Sequence, residues 1–116
     1  MNLDRMAFQH AEECFNNIDP QEDLEKAARR AVSVLLEQGL YATLLYLHTK
    51  EKTGPKIAGE LIGFSKELFT TTQATDAAKK QLRYLTETIT HDNDRILMVR
   101  KIWEDTLNYV IYYNKL

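Results

Sequence analysis

The chain has 116 residues, of which 44% are apolar and 28% are charged, and its net charge is −2. This length fits one domain spanning residues 1–116, and the composition excludes a disordered or membrane-spanning chain. Four glycines and two prolines are too few for the turns of an all-β sandwich or barrel, so an all-α fold is favoured. A single cysteine, Cys14, excludes an internal disulfide, and no apolar leader precedes it. We therefore expect a soluble, cytoplasmic protein.

Apolar residues spaced three and four apart predict a compact bundle of five to six helices. The first helix runs from about Leu3 to Asn17, and Asp19 with Pro20 begins the second, which Gly39 ends. The run Leu40–His48 is apolar on nearly every side. It is therefore predicted to be the buried central helix of the bundle.

Three later helices are predicted. The first starts at Pro55 and ends before the β-branched break Thr70–Thr72. The next covers the region from Ala78 to about His91. The last begins at a cap among residues 92–94, because Asp and Asn side chains accept hydrogen bonds from free backbone amides.

Charge is distributed unevenly. Residues 1–25 hold seven acids and one base, a local net charge of −6, so the other 91 residues carry +4. Helical spacing groups some of these bases on common faces, which can contact phosphates without reading base sequence. A solvated helix face is the alternative interpretation. The predicted nucleic-acid-binding residues are Lys26, Arg29, Arg30, Lys50, Lys52, Lys56, Lys79, Lys80 and Arg83.

Reactive chemistry is sparse in the sequence. His10 and Cys14 lie four residues apart, with Glu13 between them, but a zinc site needs three or four ligands. The chain has no other cysteine, and His48 and His91 stand in unrelated contexts. We therefore predict no catalytic residue, no metal and no cofactor. One enzymatic alternative remains, because the Arg5–His10 spacing resembles the R-x4-H signature of dimeric HEPN ribonucleases. Unlike that family, the chain has apolar Met6 after the arginine, and the motif lies in the first helix.

The run from Leu35 to Lys50, LLEQGLYATLLYLHTK, resembles the central signature of the small subunit of type III-B CRISPR effector complexes, the Cmr complexes. The stretches Leu3–Cys14 and Val99–Tyr109 are similar to that family's opening and closing helices. Gln38 replaces the family's usual Asn, and the basic C-terminal tail of relatives is missing. The small subunit of type III-A complexes is a further possibility, and the Gly-Leu pair at 39–40 favours type III-B.

The resemblance implies an all-helical, non-enzymatic subunit that acts in antiviral defence and stacks in several copies. Its implied partners are the large signalling subunit, the backbone subunits, further copies of itself, the crRNA and the target RNA, without a membrane. The basic helix faces would then contact the guide–target RNA. A protein-only adaptor, whose basic faces serve solubility alone, is the remaining alternative.

Overall fold

The computed structural model describes residues 2–69 and 78–116, which form α-helices joined by short connections. The predicted all-α single-domain bundle is confirmed, and the described residues contain no strand. None of the helices in these two ranges has the length and apolarity needed to cross a bilayer. The predicted break at Thr70–Thr72 lies outside the described residues. The helices are α1 (Leu3–Asn17), α2 (Gln21–Gln38), α3 (Leu40–Lys50), α4 (Gly54–Phe69), α5 (Ala78–Tyr84), which continues as a π-helical segment (Leu85–Ile89), and α6 (Asn93–Tyr113).

Gly39 is the only residue between α2 and α3. Its backbone angles, φ +96° and ψ −167°, lie in a region that side chains disfavour. The Gly39 N–H donates to the Leu35 carbonyl at 3.0 Å, and the Gly39 carbonyl accepts from the Thr43 hydroxyl at 2.8 Å. Both helix ends are thus hydrogen-bonded through one residue, and α3 turns back onto α2 without a loop.

Helix α3 packs against α2, α4 and α5. One side of the helix is fully covered, with Leu44 and Leu47 at 0% exposure. On the other side Tyr41 is 38% exposed and Leu45 is 49% exposed. The helix is therefore covered on one side rather than on all, because its neighbours leave an apolar strip at the surface.

The two longest helices, α6 and α2, test the predicted N-terminal caps. The carboxylate of Asp92 accepts from the backbone amides of Asp94, at 2.8 Å, and Arg95, at 3.4 Å, so the predicted cap of α6 is confirmed. Helix α2 begins one residue later than expected. Pro20 occupies its cap position, and no side chain caps it there.

Two close contacts hold α4 against its neighbouring helices. Trp103 of α6 is fully buried, and its Nε1–H donates to the Ser65 hydroxyl of α4 at 2.9 Å. At the start of α4, Gly54 touches the backbone of α3 so closely that a Cβ would lie 1.6 Å from the Leu47 carbonyl oxygen. These contacts fix α4 against α3 and α6.

Candidate functional site

Helix α3 runs antiparallel to α5 and the π-helical segment that follows it. The Tyr41 hydroxyl lies 2.7 Å from the Thr86 hydroxyl. About two turns further along α3, His48 Nε2 lies 2.9 Å from Gln81 Oε1. The end of α3 therefore lies beside the start of α5. Residues that are about thirty positions apart in the sequence share one end of the bundle.

This arrangement brings bases of α5 to the same end of the bundle as bases of α2 and α3, which sequence spacing alone could not show. We call them the basic end, and all of them are exposed. Within 4.0 Å, its four lysines make no ion pair to any described residue. The basic end thus presents positive charge to solvent. Its members are Arg30, Lys50, Lys52, Lys79 and Lys80.

Among the described residues, Arg30 is the one base of this group that has a carboxylate within 4.0 Å. Its Nη1 lies 3.3 Å from Glu51 Oε2 in the turn after α3. The Glu51 side chain is only 8% exposed and also accepts a hydrogen bond from the Tyr46 hydroxyl at 2.5 Å. Burial and the bond to Glu51 raise the pKa of Tyr46. Glu51 is therefore held in place, and an incoming anion would compete with it for Arg30.

The other four predicted residues are exposed as well, but they lie differently. Lys26 is one turn before Arg30 on α2, and Arg83 is one turn after the α5 lysines, so both extend the basic end. Arg29 instead lies 3.6 Å from Glu25, a carboxylate that contacts the C-terminal end of α6. Lys56 lines a cavity between α1 and α4. Those two bases therefore face other parts of the surface.

A second polar cluster joins α1 to α4, and we call it the His10 cluster, comprising His10, Glu13, Glu60 and Glu67. Nδ1 of His10 lies 2.5 Å from Glu60 Oε1 and 3.8 Å from Glu13 Oε2, whereas Nε2 lies 3.2 Å from Glu67 Oε2. The ring stacks on Phe64, with centroids 4.3 Å apart. Spacings of three and four residues place all five side chains on the facing stripes of the two helices.

The titratable groups of the His10 cluster shift one another's pKa values. Burial alone would lower the pKa of His10, but hydrogen bonds to Glu60 and Glu67 outweigh it and raise that pKa. Burial likewise opposes ionisation of Glu60, yet its bonds to His10 and Glu13 lower its pKa. The bond to Glu60 raises the pKa of Glu13. One imidazole is thus surrounded by three carboxylates, two of which share a hydrogen bond.

A cavity of about 280 Å³ adjoins this cluster. Burial raises the pKa of the Cys14 thiol in its wall, so that thiol stays protonated. Space beside a buried imidazole and two carboxylates can hold water or a bound ion. The cavity is lined by Glu13, Cys14, Asn17, Ile18, Lys56, Gly59 and Glu60.

Sequence reasoning singled out His10 but missed its partners. It paired His10 with Cys14 and with Arg5, both on α1, whereas the two carboxylates that hydrogen-bond to the ring lie 50 and 57 residues away. Only Glu13, three residues away, is a local neighbour. The sequence does contain one signal for these partners. Glu60 and Glu67 lie seven residues apart on either side of Phe64, which places all three on one face of a helix. Arg5 is exposed, and its backbone amide donates to the Asn2 side chain. The ribonuclease hypothesis stays a prediction.

Apolar side chains are exposed near the Gly39 connection, at the other end of α3. Arg100 of α6 donates to the Leu36 carbonyl at 2.8 Å, so Leu97, one turn earlier, extends past the end of α2. Leu36 is 44% exposed and Leu97 is 64% exposed. Together with Tyr41 and Leu45 they form what we call the apolar patch.

Comparison of the chain with protein-family models, with curated proteins and with solved structures finds no match. The resemblance to small Cmr subunits therefore remains a prediction made from the residues.

Proposed function

We propose that this chain is a non-catalytic structural subunit of an RNA-guided assembly, contacting RNA phosphates through its basic end. The small subunit of type III-B CRISPR effector complexes is the kind of protein that its sequence resembles. In such an assembly the chain positions RNA while other subunits perform the chemistry. Its partners are neighbouring protein subunits together with guide and target RNA.

The observation that carries this proposal is the antiparallel contact between α3 and α5. This contact places bases from three helices and one turn at a single end of the bundle. The lysines of the basic end are exposed and form no ion pair with a described residue. Several exposed lysines at one end suit a phosphate backbone, because each neutralised phosphate releases a counterion and favours binding. A purely solubilising role would not require the bases to converge.

The apolar patch supports the assembly part of the proposal. Helix α3 has eleven residues and is therefore about 16 Å long, and the patch begins at the end opposite Lys50. Several exposed apolar side chains in one region of a surface often mark protein–protein contacts. A subunit that holds RNA at one end and a protein at the other can act as a spacer.

The test compares two variants that lose equal charge. The first replaces Lys50, Lys79 and Lys80 with glutamine. The control replaces three bases outside the basic end with glutamine, namely Arg5, Lys101 and Lys115. Fluorescence anisotropy with labelled single-stranded RNA, measured from low to physiological salt, gives the slope of log affinity against log salt for each protein.

We expect the first variant to reduce this slope by about 2, since each lost phosphate contact is worth about 0.7 on single strands. The control should keep the slope of the wild type. Equal slopes for the two variants would refute the role of the basic end. Undetectable RNA binding by the wild type, even at low salt, would refute the proposal itself.

A further inference from the structure

We propose that His10, Glu13 and Glu60 form a binding site for a divalent first-row transition metal of the Zn²⁺ type. The site lies between α1 and α4, and Lys56 is the only predicted RNA-contacting base that lines its cavity. It is independent of the RNA proposal, since none of its ligands belongs to the basic end. Each ligand offers one atom, and these atoms all lie within 4.8 Å of one another.

The donor set determines the class of metal. One imidazole nitrogen with two carboxylate oxygens suits Zn²⁺ and its first-row neighbours, whereas Mg²⁺ and Ca²⁺ prefer oxygen ligands alone. Zinc sites with three protein ligands keep a further position for water. The adjoining cavity of about 280 Å³ has room for that water.

Glu67 holds the imidazole in the orientation that a metal requires. Its Oε2 lies 3.2 Å from His10 Nε2, so Nε2 keeps its proton and donates it to this carboxylate. The other nitrogen, Nδ1, faces Glu60 and Glu13. A carboxylate behind a histidine is the usual outer partner of a metal-bound imidazole, and it fixes the tautomer. Glu67 is thus a positioning residue rather than a ligand.

Charge balance favours the same occupant. Three carboxylates surround His10, which is 8% exposed, and a single imidazolium leaves an excess of negative charge. A divalent cation would replace the Nδ1 proton, which passes to solvent, and would neutralise the two ligating carboxylates. In a tetrahedral site, zinc–ligand bonds of about 2.0–2.2 Å hold the ligand atoms about 3.3–3.6 Å apart. His10 Nδ1 and Glu60 Oε1, 2.5 Å apart, must therefore separate, and Glu13 Oε2, 3.8 Å from Nδ1, must move slightly inward. The Glu13 side chain is 59% exposed, so solvent rather than packed side chains surrounds most of it.

The test uses the full chain without a histidine tag, stripped with a chelator. Isothermal titration with Zn²⁺ measures stoichiometry and affinity, the visible absorption of bound Co²⁺ reports the coordination, and thermal unfolding follows stabilisation. We expect one equivalent of Zn²⁺ and a melting temperature about 10 °C higher at a hundredfold excess over Kd. Mg²⁺ should leave the melting temperature unchanged.

Variants assign the ligands. Glu13→Gln, at an exposed position that does not threaten folding, and Glu60→Gln should each weaken Zn²⁺ binding at least tenfold, and Glu67→Gln should weaken it by about 10-fold to 100-fold. Glu12→Gln removes the same charge next to the cluster and should change affinity less than twofold. Absence of stoichiometric Zn²⁺ binding would overturn the proposal, as would binding that survives Glu13→Gln and Glu60→Gln but is lost in Cys14→Ala.

Discussion

The hydrogen bond between Trp103 and Ser65 allows a sharp test of how the bundle core is held. Both side chains are fully buried, and the indole Nε1–H donates to the hydroxyl at 2.9 Å. The same hydroxyl donates to the Leu61 carbonyl at 3.0 Å. Replacing Ser65 with alanine therefore removes the acceptor of a fully buried indole N–H.

The cost follows from that geometry. A buried donor left without a partner loses about 1–3 kcal/mol, so Ser65→Ala should lower the free energy of unfolding by about 2 kcal/mol. Thr106→Val is the matched control. The Thr106 hydroxyl is equally buried but only donates, to the Ile102 carbonyl at 2.7 Å, and its removal leaves no donor unpaired. We expect the control to cost less than about 1 kcal/mol.

The assay is urea unfolding followed by far-UV circular dichroism, completed as a double-mutant cycle with Trp103→Phe. In the phenylalanine background no indole N–H remains to be orphaned, so Ser65→Ala should cost about 1 kcal/mol less than it does in the wild type. A Ser65→Ala cost that is the same in both backgrounds would refute the reasoning. So would a control variant as destabilised as Ser65→Ala.

Two further predictions concern backbone space and a buried phenol. Gly54→Ala should destabilise by more than about 3 kcal/mol, since its Cβ would overlap the Leu47 backbone, whereas Gly39→Ala, with open space around its Cβ, should cost only the backbone strain of about 1–3 kcal/mol. Urea unfolding that ranks them in reverse would contradict the close approach at Leu47. The Tyr84 hydroxyl has no hydrogen-bond partner in the described part of the chain, so Tyr84→Phe should not destabilise the fold. Burial raises the pKa of Tyr84 to about 12, above its unfolded value near 10. Between pH 10 and 12 the unfolded state therefore loses this proton first, and urea unfolding should show a steeper loss of stability in the wild type than in Tyr84→Phe.

Much of the fold could be predicted because the relevant signals are local. The glycine at 39 and the aspartate at 92 act on backbone groups within four residues, and the predicted bounds of α1 match the structure. The start of α2 and the exposed strip of α3 differ from the prediction. An apolar run indicates that a helix packs against others, but not which of its sides they cover. Tyr41 and Leu45 lie on a side that no described neighbouring helix covers, and this depends on how the helices pack.

Only part of the candidate site could likewise be predicted from the sequence. Spacing along one helix places Lys79 and Lys80 side by side on α5, but it does not separate Arg29, which lies beside Glu25, from Arg30, which lies beside Glu51. Which groups meet depends on tertiary contacts such as the one between His48 and Gln81, and no periodicity within one helix contains that information. The His10 cluster shows this most clearly, because its ligands come from helices about fifty residues apart in the sequence.

The net charge of −2 gives a poor description of the surface field, for a structural reason. Three of the seven acids in the first 25 residues make contacts between helices: Asp4 accepts from the Tyr109 hydroxyl, Glu13 belongs to the His10 cluster, and Glu25 accepts from Asn114 at 3.1 Å. The lysines of the basic end, by contrast, make no ion pair with any residue in the described ranges. Charges in solution are screened over about 8 Å at physiological salt, less than a third of the smallest molecular extent of 27 Å. An anion at the basic end therefore responds to the nearby lysines and not to the total charge.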